Sequence, residues 1–268
     1  MKIAITVSTR EAFPKALVVF RGLEQSLPLI AELGYDGVEV AVFHKDNIQL
    51  KNLKSLLKRY SLALPVFSTG QMYTVLNVWF THPEQEVRQK ATRIFKGIID
   101  LASEFGADVN ISRVRGYIHE EDSYEEGLKR LSDCLYDLSG YAEPIGVRLL
   151  LEQMNMFETN YLHSVREVGD YIKTLNIHNL LIHADTFHMN IHDIEFSATL
   201  QEYGPILGYI HFSDSNRRAP GQGHIDFISI IQALEEMNYP GWIGVEVLAE
   251  PGPLEAARLS IEYLKKLK

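Results

Sequence analysis

The chain has 268 residues, 46% hydrophobic and 23% charged, a length that suits one large α/β barrel and a composition far from that of a disordered chain. Its 26 basic and 35 acidic residues leave a formal charge of −9, which opposes a polyanionic partner where no dense Lys/Arg run compensates. No apolar stretch approaches the roughly 18 residues of a membrane span, and the run Met1 to Ser8 is too short for a signal core, so a cytoplasmic protein with no nucleic acid and no membrane partner is expected.

Short apolar runs bounded by Gly, Asn, Asp or Pro alternate along the chain with longer stretches of helical period. The pattern predicts strands at 2–8, 36–42, 62–68, 107–113, 147–152, 180–185, 207–213 and 242–248. It predicts intervening helices over Leu27 to Leu33, Leu50 to Tyr60, Glu84 to Phe105, Tyr124 to Ala142, Ser164 to Leu175, Phe196 to Tyr203, Ile228 to Met237 and Leu254 to Leu267. Gly34, Gly106 and Gly146 stand where a helix stops before the next strand. Eight alternating units imply a parallel sheet that closes, a single (β/α)8 barrel over residues 1–268. The widest gap between a strand and its helix, 68–83, carries Tyr73, Leu76, Trp79 and Phe80. It reads either as a flap over a substrate or as a segment packed on a neighbouring helix or subunit. The lone cysteine, Cys134, falls in an amphipathic helical stretch and reads as a small buried hydrophobe.

Four of the predicted strands end in a potential metal ligand: Val147-Arg-Leu-Leu-Leu-Glu152, Leu180-Leu-Ile-His-Ala-Asp185, Leu207-Gly-Tyr-Ile-His211 and Trp242-Ile-Gly-Val-Glu246. Functional groups of such barrels gather at the carboxyl ends of the strands, so Glu152, Asp185, His211 and Glu246 should converge. Three carboxylates and one imidazole suit a hard or borderline divalent ion, Mn²⁺, Mg²⁺ or Co²⁺. Glu152 and Glu246, from strands on different sides of that ion, are placed for two-base proton transfer: one removes a proton from carbon and the other returns one to the opposite face. His188, three residues past Asp185, can reach the same cavity, whereas His183 reads as a supporting or core residue. The segment from His211 to Phe227 is the densest polar stretch. Within it Arg217 can donate to a substrate oxygen, while Arg218, His224 and Asp226 suit a surface turn and a helix cap. Arg113 and Arg115 alternate after the fourth strand, so one of them could anchor a substrate carboxylate or phosphate or, equally, pair at the surface. No phosphate loop, nucleophile elbow, dinucleotide glycine fingerprint or cysteine pair is present, which argues for no nucleotide cofactor.

Together these residues resemble the xylose-isomerase-like barrel superfamily and, within it, the ketose 3-epimerase group, over the whole chain. The resemblance rests on Glu152-Gln-Met-Asn155 with Glu158, on Ala184-Asp185-Thr-Phe-His188-Met-Asn190, and on the run from Asp214 to Phe227. It implies a TIM barrel in which Glu152, Asp185, His211 and Glu246 bind a divalent metal ion. It also implies that the two glutamates act as acid and base, and that Glu158, His188 and Arg217 contact the ketose. The stretches Ser68 to Tyr73 and Val114-Arg115-Gly116 are similar to epimerases acting on keto sugar acids, with Arg115 or Arg113 toward the carboxylate. The implied partner is a small-molecule ketose or keto sugar acid, and family analogy implies a homodimer or homotetramer. The same site would serve an aldose-ketose or hydroxypyruvate isomerase or a keto-sugar dehydratase. The charge opposes a DNA-repair nuclease, and a non-enzymatic sugar-binding barrel would not need two proton-transfer carboxylates.

Overall fold

The protein is described by a computed structural model covering residues 1–267. In chain order its elements are β1 (Lys2–Ser8), β2 (Phe20–Arg21), α1 (Leu23–Leu33), β3 (Gly37–Ala41), α2 (Leu50–Tyr60), β4 (Val66–Ser68), α3 (Gln71–Leu76) and α4 (Gln85–Ser103). There follow β5 (Asp108–Ile111), α5 (Tyr124–Ala142), β6 (Leu149–Glu152), α6 (Val165–Leu175), β7 (Leu180–Asp185), α7 (Thr186–His192), α8 (Phe196–Tyr203), β8 (Leu207–Phe212), α9 (Phe227–Glu236), β9 (Trp242–Val245) and α10 (Pro253–Leu267). Every strand pairing is parallel, and β1 pairs with both β3 and β9, so eight strands close into a barrel and β2 lies beside β1 as a short addition. Among the described residues no helix is long and apolar enough to cross a membrane.

The period of two along each strand explains where the core and the site lie. Outward residues such as Leu149 and Leu151 on β6, Ile182 on β7 and Ile210 on β8 are dry and meet the helix layer. Inward residues run in tiers. Val66, Leu150 and Tyr209, with Leu181 and Trp242 against them, form an apolar floor. Two residues further along the same faces stand Glu152 above Leu150, His183 above Leu181 and His211 above Tyr209. Asp185 is a further step up β7, and Glu246 is the residue just past β9. Gly244 is required in this stack: a Cβ there would lie 2.5 Å from the Tyr209 hydroxyl and 2.8 Å from the His211 ring. The barrel thus carries polar groups on the tiers nearest the carboxyl ends of its strands.

Helix ends follow local chemistry. Ser123 and Ser164 close capping boxes with Glu126 and Glu167 at the starts of α5 and α6, each of the kind that stabilises a helix by about 1 kcal/mol. Predicted boundaries move by a few residues: β4 begins at Val66 rather than 62, and β9 ends at Val245 rather than 248. Of the gap 68–83, Ser68, Gly70, Gln71 and Thr74 line the mouth of the barrel, while Tyr73, Leu76, Trp79 and Phe80 do not. The gap contains α3, and Trp79 stacks on Tyr117 with ring centroids 5.3 Å apart while Phe80 packs edge-on against Phe95 of α4. Cover also comes from residues 9–19 between β1 and β2. Arg21 donates to the carbonyls of Ala12, Phe13, Pro14 and Ala16 and so ties this strap down, and Gln71 accepts the Phe13 amide at 2.9 Å. Cys134 is buried, its thiol pushed up to about 12 by that burial.

Candidate metal and sugar site

A cleft of about 140 Å³ lies over the carboxyl ends of the strands. At its base the four expected ligands meet. His211 Nδ1 is 3.6 Å from Glu152 Oε1, 3.5 Å from Asp185 Oδ2 and 3.5 Å from Glu246 Oε2, and one ligand atom from each of the four lies within 4.8 Å of all the others. His211 Nδ1 is buried with no hydrogen-bond partner of its own. An orphaned ring nitrogen facing two dry carboxylates and the partly buried Glu246 fits a cation at their centre, since a buried polar atom is otherwise paired.

The electrostatics agree. Burial pushes the Glu246 carboxyl up to about 8, against the pull of His211 and Arg217, and burial likewise raises Glu152. Burial also works against ionised Asp185, but the Arg217 guanidinium and the neighbouring histidines outweigh it and hold Asp185 well below the usual carboxylate range. His211 is raised well above the ordinary imidazole, because Glu39 and Glu246 overcome the cost of burying its charge. The pocket therefore recruits positive charge, and a divalent ion binding these groups would displace protons.

Glu39, on β3, escaped sequence reasoning. It is fully buried on the inward face, and its Oε2 lies 2.8 Å from His211 Nε2. A carboxylate accepting from Nε2–H leaves the Nδ1 lone pair toward the cluster, the support that ligating histidines commonly have. The signal was available in Gly37-Val38-Glu39-Val40-Ala41, an acid at mid-strand in an otherwise apolar run. Asn110 was also missed. Its Nδ2 is 3.2 Å from Glu152 Oε2 and 2.7 Å from His183 Nδ1. His183 is dry, sits edge-on to His211 with centroids 4.1 Å apart, and forms a second three-residue grouping with Glu152 and His211.

His188, on α7, lines the cleft, and its Nδ1 is 2.7 Å from Asn155 Nδ2. Burial drives its imidazole down to about 3, so it is neutral. Asp185 caps that short helix by accepting from the Phe187 amide at 2.8 Å while its other oxygen faces the cluster. Arg217 also lines the cleft. Its Nη1 donates to both Asp185 oxygens at 2.7 Å, its Nη2 contacts Glu246, and its guanidinium lies over the Phe187 ring. The Arg217 backbone is left-handed, φ 61°. Asp214 secures that turn: its carboxylate accepts the amides of Ser215, Gly221 and Ile225. Glu158 lines the cleft and pairs with Arg113 Nε at 3.4 Å.

Arg115 is placed elsewhere, and its expected role is corrected. It is fully buried, stacks on Tyr161 and donates to the carbonyls of Glu152, Tyr161 and Leu162. With both Nη groups spent on backbone carbonyls, and its Nε buried without a partner, it fastens the end of β6 from behind, and of the pair Arg113 and Arg115 it is Arg113 that lines the cleft. Arg218 pairs with Glu250 at the surface, and Asp226 caps α9.

A closed parallel barrel with a carboxylate-imidazole cluster at its carboxyl-terminal mouth defines the class, an α/β barrel with a candidate metal site at the base of a cleft. The chain belongs to the xylose isomerase-like TIM barrel family, whose model matches residues 27–267. It is 26% identical to the D-psicose 3-epimerase of Agrobacterium fabrum over 83% of this chain and 78% of that one. It is likewise 26% identical to the 3-dehydro-D-guloside 4-epimerase of Escherichia coli over 88% and 91%. Among solved structures, the 3-keto-D-glucoside 4-epimerase of E. coli superposes with a TM-score of 0.83 at 24% identity, covering 99% of both chains. An L-ribulose 3-epimerase superposes at 0.84 with 20% identity, covering 100% and 94%. These superpositions bear on the fold.

Proposed function

We propose that the protein is a divalent-metal-dependent sugar epimerase that inverts the carbon adjacent to the ketone, C3, of a ketose or keto sugar acid through a cis-enediolate. The observation that carries this reading is the pair Glu152 and Glu246: both line one cleft, and both reach the His211 nitrogen from different strands. The similarity to epimerases of sugars supports it.

Glu152, Asp185, His211 and Glu246 would hold the ion, Mn²⁺, Mg²⁺ or Co²⁺, which when bound supplies Lewis-acid stabilisation of the oxygens on the ketone and the neighbouring carbon. One glutamate takes the C3 proton and the other delivers a proton to the opposite face. Asn110 holds the Glu152 carboxylate by its Oε2, and Arg217 holds that of Glu246, so each base is fixed before the sugar enters. His188, neutral and fixed by Asn155, presents to the cleft an Nε2 with no protein partner, suited to a sugar hydroxyl. Glu158 is assigned to the sugar as well. Between the strap and the apolar floor the reacting carbon is kept from bulk water.

Mg²⁺-loaded protein in D₂O, incubated with ketoses and keto sugar acids, should give NMR evidence of deuterium at C3 together with a new diastereomer. Glu152→Gln and Glu246→Gln should each abolish both while the fold is retained. Deuterium at C1 would instead make the protein an aldose-ketose isomerase, an unsaturated product would make it a dehydratase, and full activity in both variants would refute the two-glutamate mechanism.

A further inference from the structure

Two residues of ligand type follow one another on the inward face of β7, His183 and Asp185, and the cluster of four uses only the second. Glu152 pairs in register with His183, as Asp185 does with His211. Glu152, His183 and His211 each offer a ligand atom within 4.8 Å of the other two, in a grouping separate from the one with Asp185 and Glu246. All three are dry, and His183 does not line the cleft. His183 Nε2 and His211 Nδ1 are both buried without a hydrogen-bond partner, in rings whose centroids are 4.1 Å apart. A single unpaired buried nitrogen needs a reason, and here two share one carboxylate.

Asn110 can prepare these donors. Its Nδ2 spans Glu152 Oε2 at 3.2 Å and His183 Nδ1 at 2.7 Å, while its Oδ1 is buried with no partner. Turning the amide over exchanges the two ends. Oδ1 then accepts from His183 Nδ1–H, which bares the Nε2 lone pair and releases Glu152 Oε2. A carbonyl accepting from the second ring nitrogen is the support that ligating histidines commonly have, and Glu39 already gives it to His211. Arg217 holds Asp185 and Glu246, whereas among the described residues no lysine or arginine pairs with the Glu152 carboxylate. Two imidazoles and one glutamate are a common zinc set, with a further position left for water. Imidazole suits Zn²⁺, where carboxylate oxygens suit Mg²⁺ and Mn²⁺.

We propose that Glu152, His183 and His211 form a second cation position, on the floor side of the cluster of four, that takes Zn²⁺ in preference to Mg²⁺ or Mn²⁺. Glu152 and His211 belong to both positions. An ion in one therefore excludes an ion in the other, and Zn²⁺ displaces the harder ion rather than joining it.

X-ray absorption of the full-length protein with equimolar Zn²⁺ should show two imidazoles in the zinc shell. A shell with one imidazole would put the ion in the cluster of four and overturn the proposal, as would no binding of Zn²⁺. Added to Mn²⁺-loaded protein, Zn²⁺ should release Mn²⁺ one for one, read by electron paramagnetic resonance of the free ion; Mn²⁺ retained beside bound Zn²⁺ would also overturn it. Calorimetric titration of metal-free His183→Leu and His183→Gln, with circular dichroism as the check on folding, should give a Zn²⁺-to-Mn²⁺ affinity ratio at least tenfold below the parent's. A smaller fall, including an equal loss for both ions, would overturn it, and if neither variant folds the zinc shell of the parent decides. Zn²⁺ held by two imidazoles in a protein that takes no Mn²⁺ would uphold this position and overturn the cluster of four as the resident metal site.

Discussion

Replacing Glu39 by Gln tests whether Glu39 prepares His211 to bind a metal, because among the four expected ligands Glu39 bonds to His211 alone. The contact is 2.8 Å between two side chains that are 0% and 1% exposed. With a carboxylate at position 39 the His211 proton stays on Nε2 and Nδ1 faces the three other carboxylates. A glutamine can accept through its carbonyl and preserve that tautomer, or donate through its amide and drive the proton onto Nδ1, where it would block the cation. Loss of such a support typically weakens metal binding about 10- to 100-fold, or roughly 1.4 to 2.7 kcal/mol. The dryness of the pair places the expected loss in the upper part of that range. Mn²⁺ titration by calorimetry at neutral pH would measure it, with circular dichroism and thermal unfolding of the metal-free protein as the check on folding. A folded Glu39→Gln protein that binds Mn²⁺ within twofold of the parent would refute the claim that Glu39 sets the His211 tautomer.

Two further perturbations concern stability. Asp193 accepts the Val165 amide at the start of α6, and burial pushes its carboxyl up to about 7. A folded pKa raised above the unfolded value near 3.8 means stability that is fully present below about pH 4 and is lost as pH rises through 7. The loss is at most about 4 kcal/mol and roughly half that after screening at its solvent-facing edge. Urea unfolding at pH 5 and pH 8 should therefore show Asp193→Asn gaining on the parent at the higher pH, and parallel profiles would refute the assignment. Gly116 has φ 80° and ψ −152°, a region open essentially to glycine, and a Cβ there would lie 2.1 Å from Trp79 Cδ1. Gly116→Ala should cost roughly 2 to 5 kcal/mol by denaturant unfolding, combining backbone strain with displacement of the ring stacked on Tyr117; a loss under about 1 kcal/mol would contradict it.

The barrel and the convergence of Glu152, Asp185, His211 and Glu246 were readable from the chain because both follow from period and position. Each of the four ends an apolar run, and a closed parallel sheet brings run ends together whatever the helices between them do. What resisted reading lay in contacts between distant segments. Glu39 meets His211 across 172 residues, and in the linear chain it is only an acid within a strand. Arg113 and Arg115 are two residues apart and chemically alike, and the difference between lining the cleft and bracing β6 comes from a tight turn that ends at Gly116. The strap 9–19 has no periodic signal, since its backbone is held by the Arg21 side chain rather than by a helix or ladder. The aromatic run around Trp79 read as a possible flap because hydrophobicity alone does not say whether a ring faces a cavity or the segment beside it.

The four cluster residues come from β6, β7, β8 and the residue after β9, adjacent staves in the closed sheet. The facing wall of the cleft comes largely from the strap, β3, β4, α3 and the segment after β5. The cleft is in effect built from two half-shells, with the carboxylate-imidazole cluster on the C-terminal one and much of the facing wall on the N-terminal one. Glu39 and Asn110 are pins that cross the seam. Exchanging the N-terminal shell between relatives, with both pins carried along, would recast the facing wall of the cleft while leaving Glu152 and Glu246 in register.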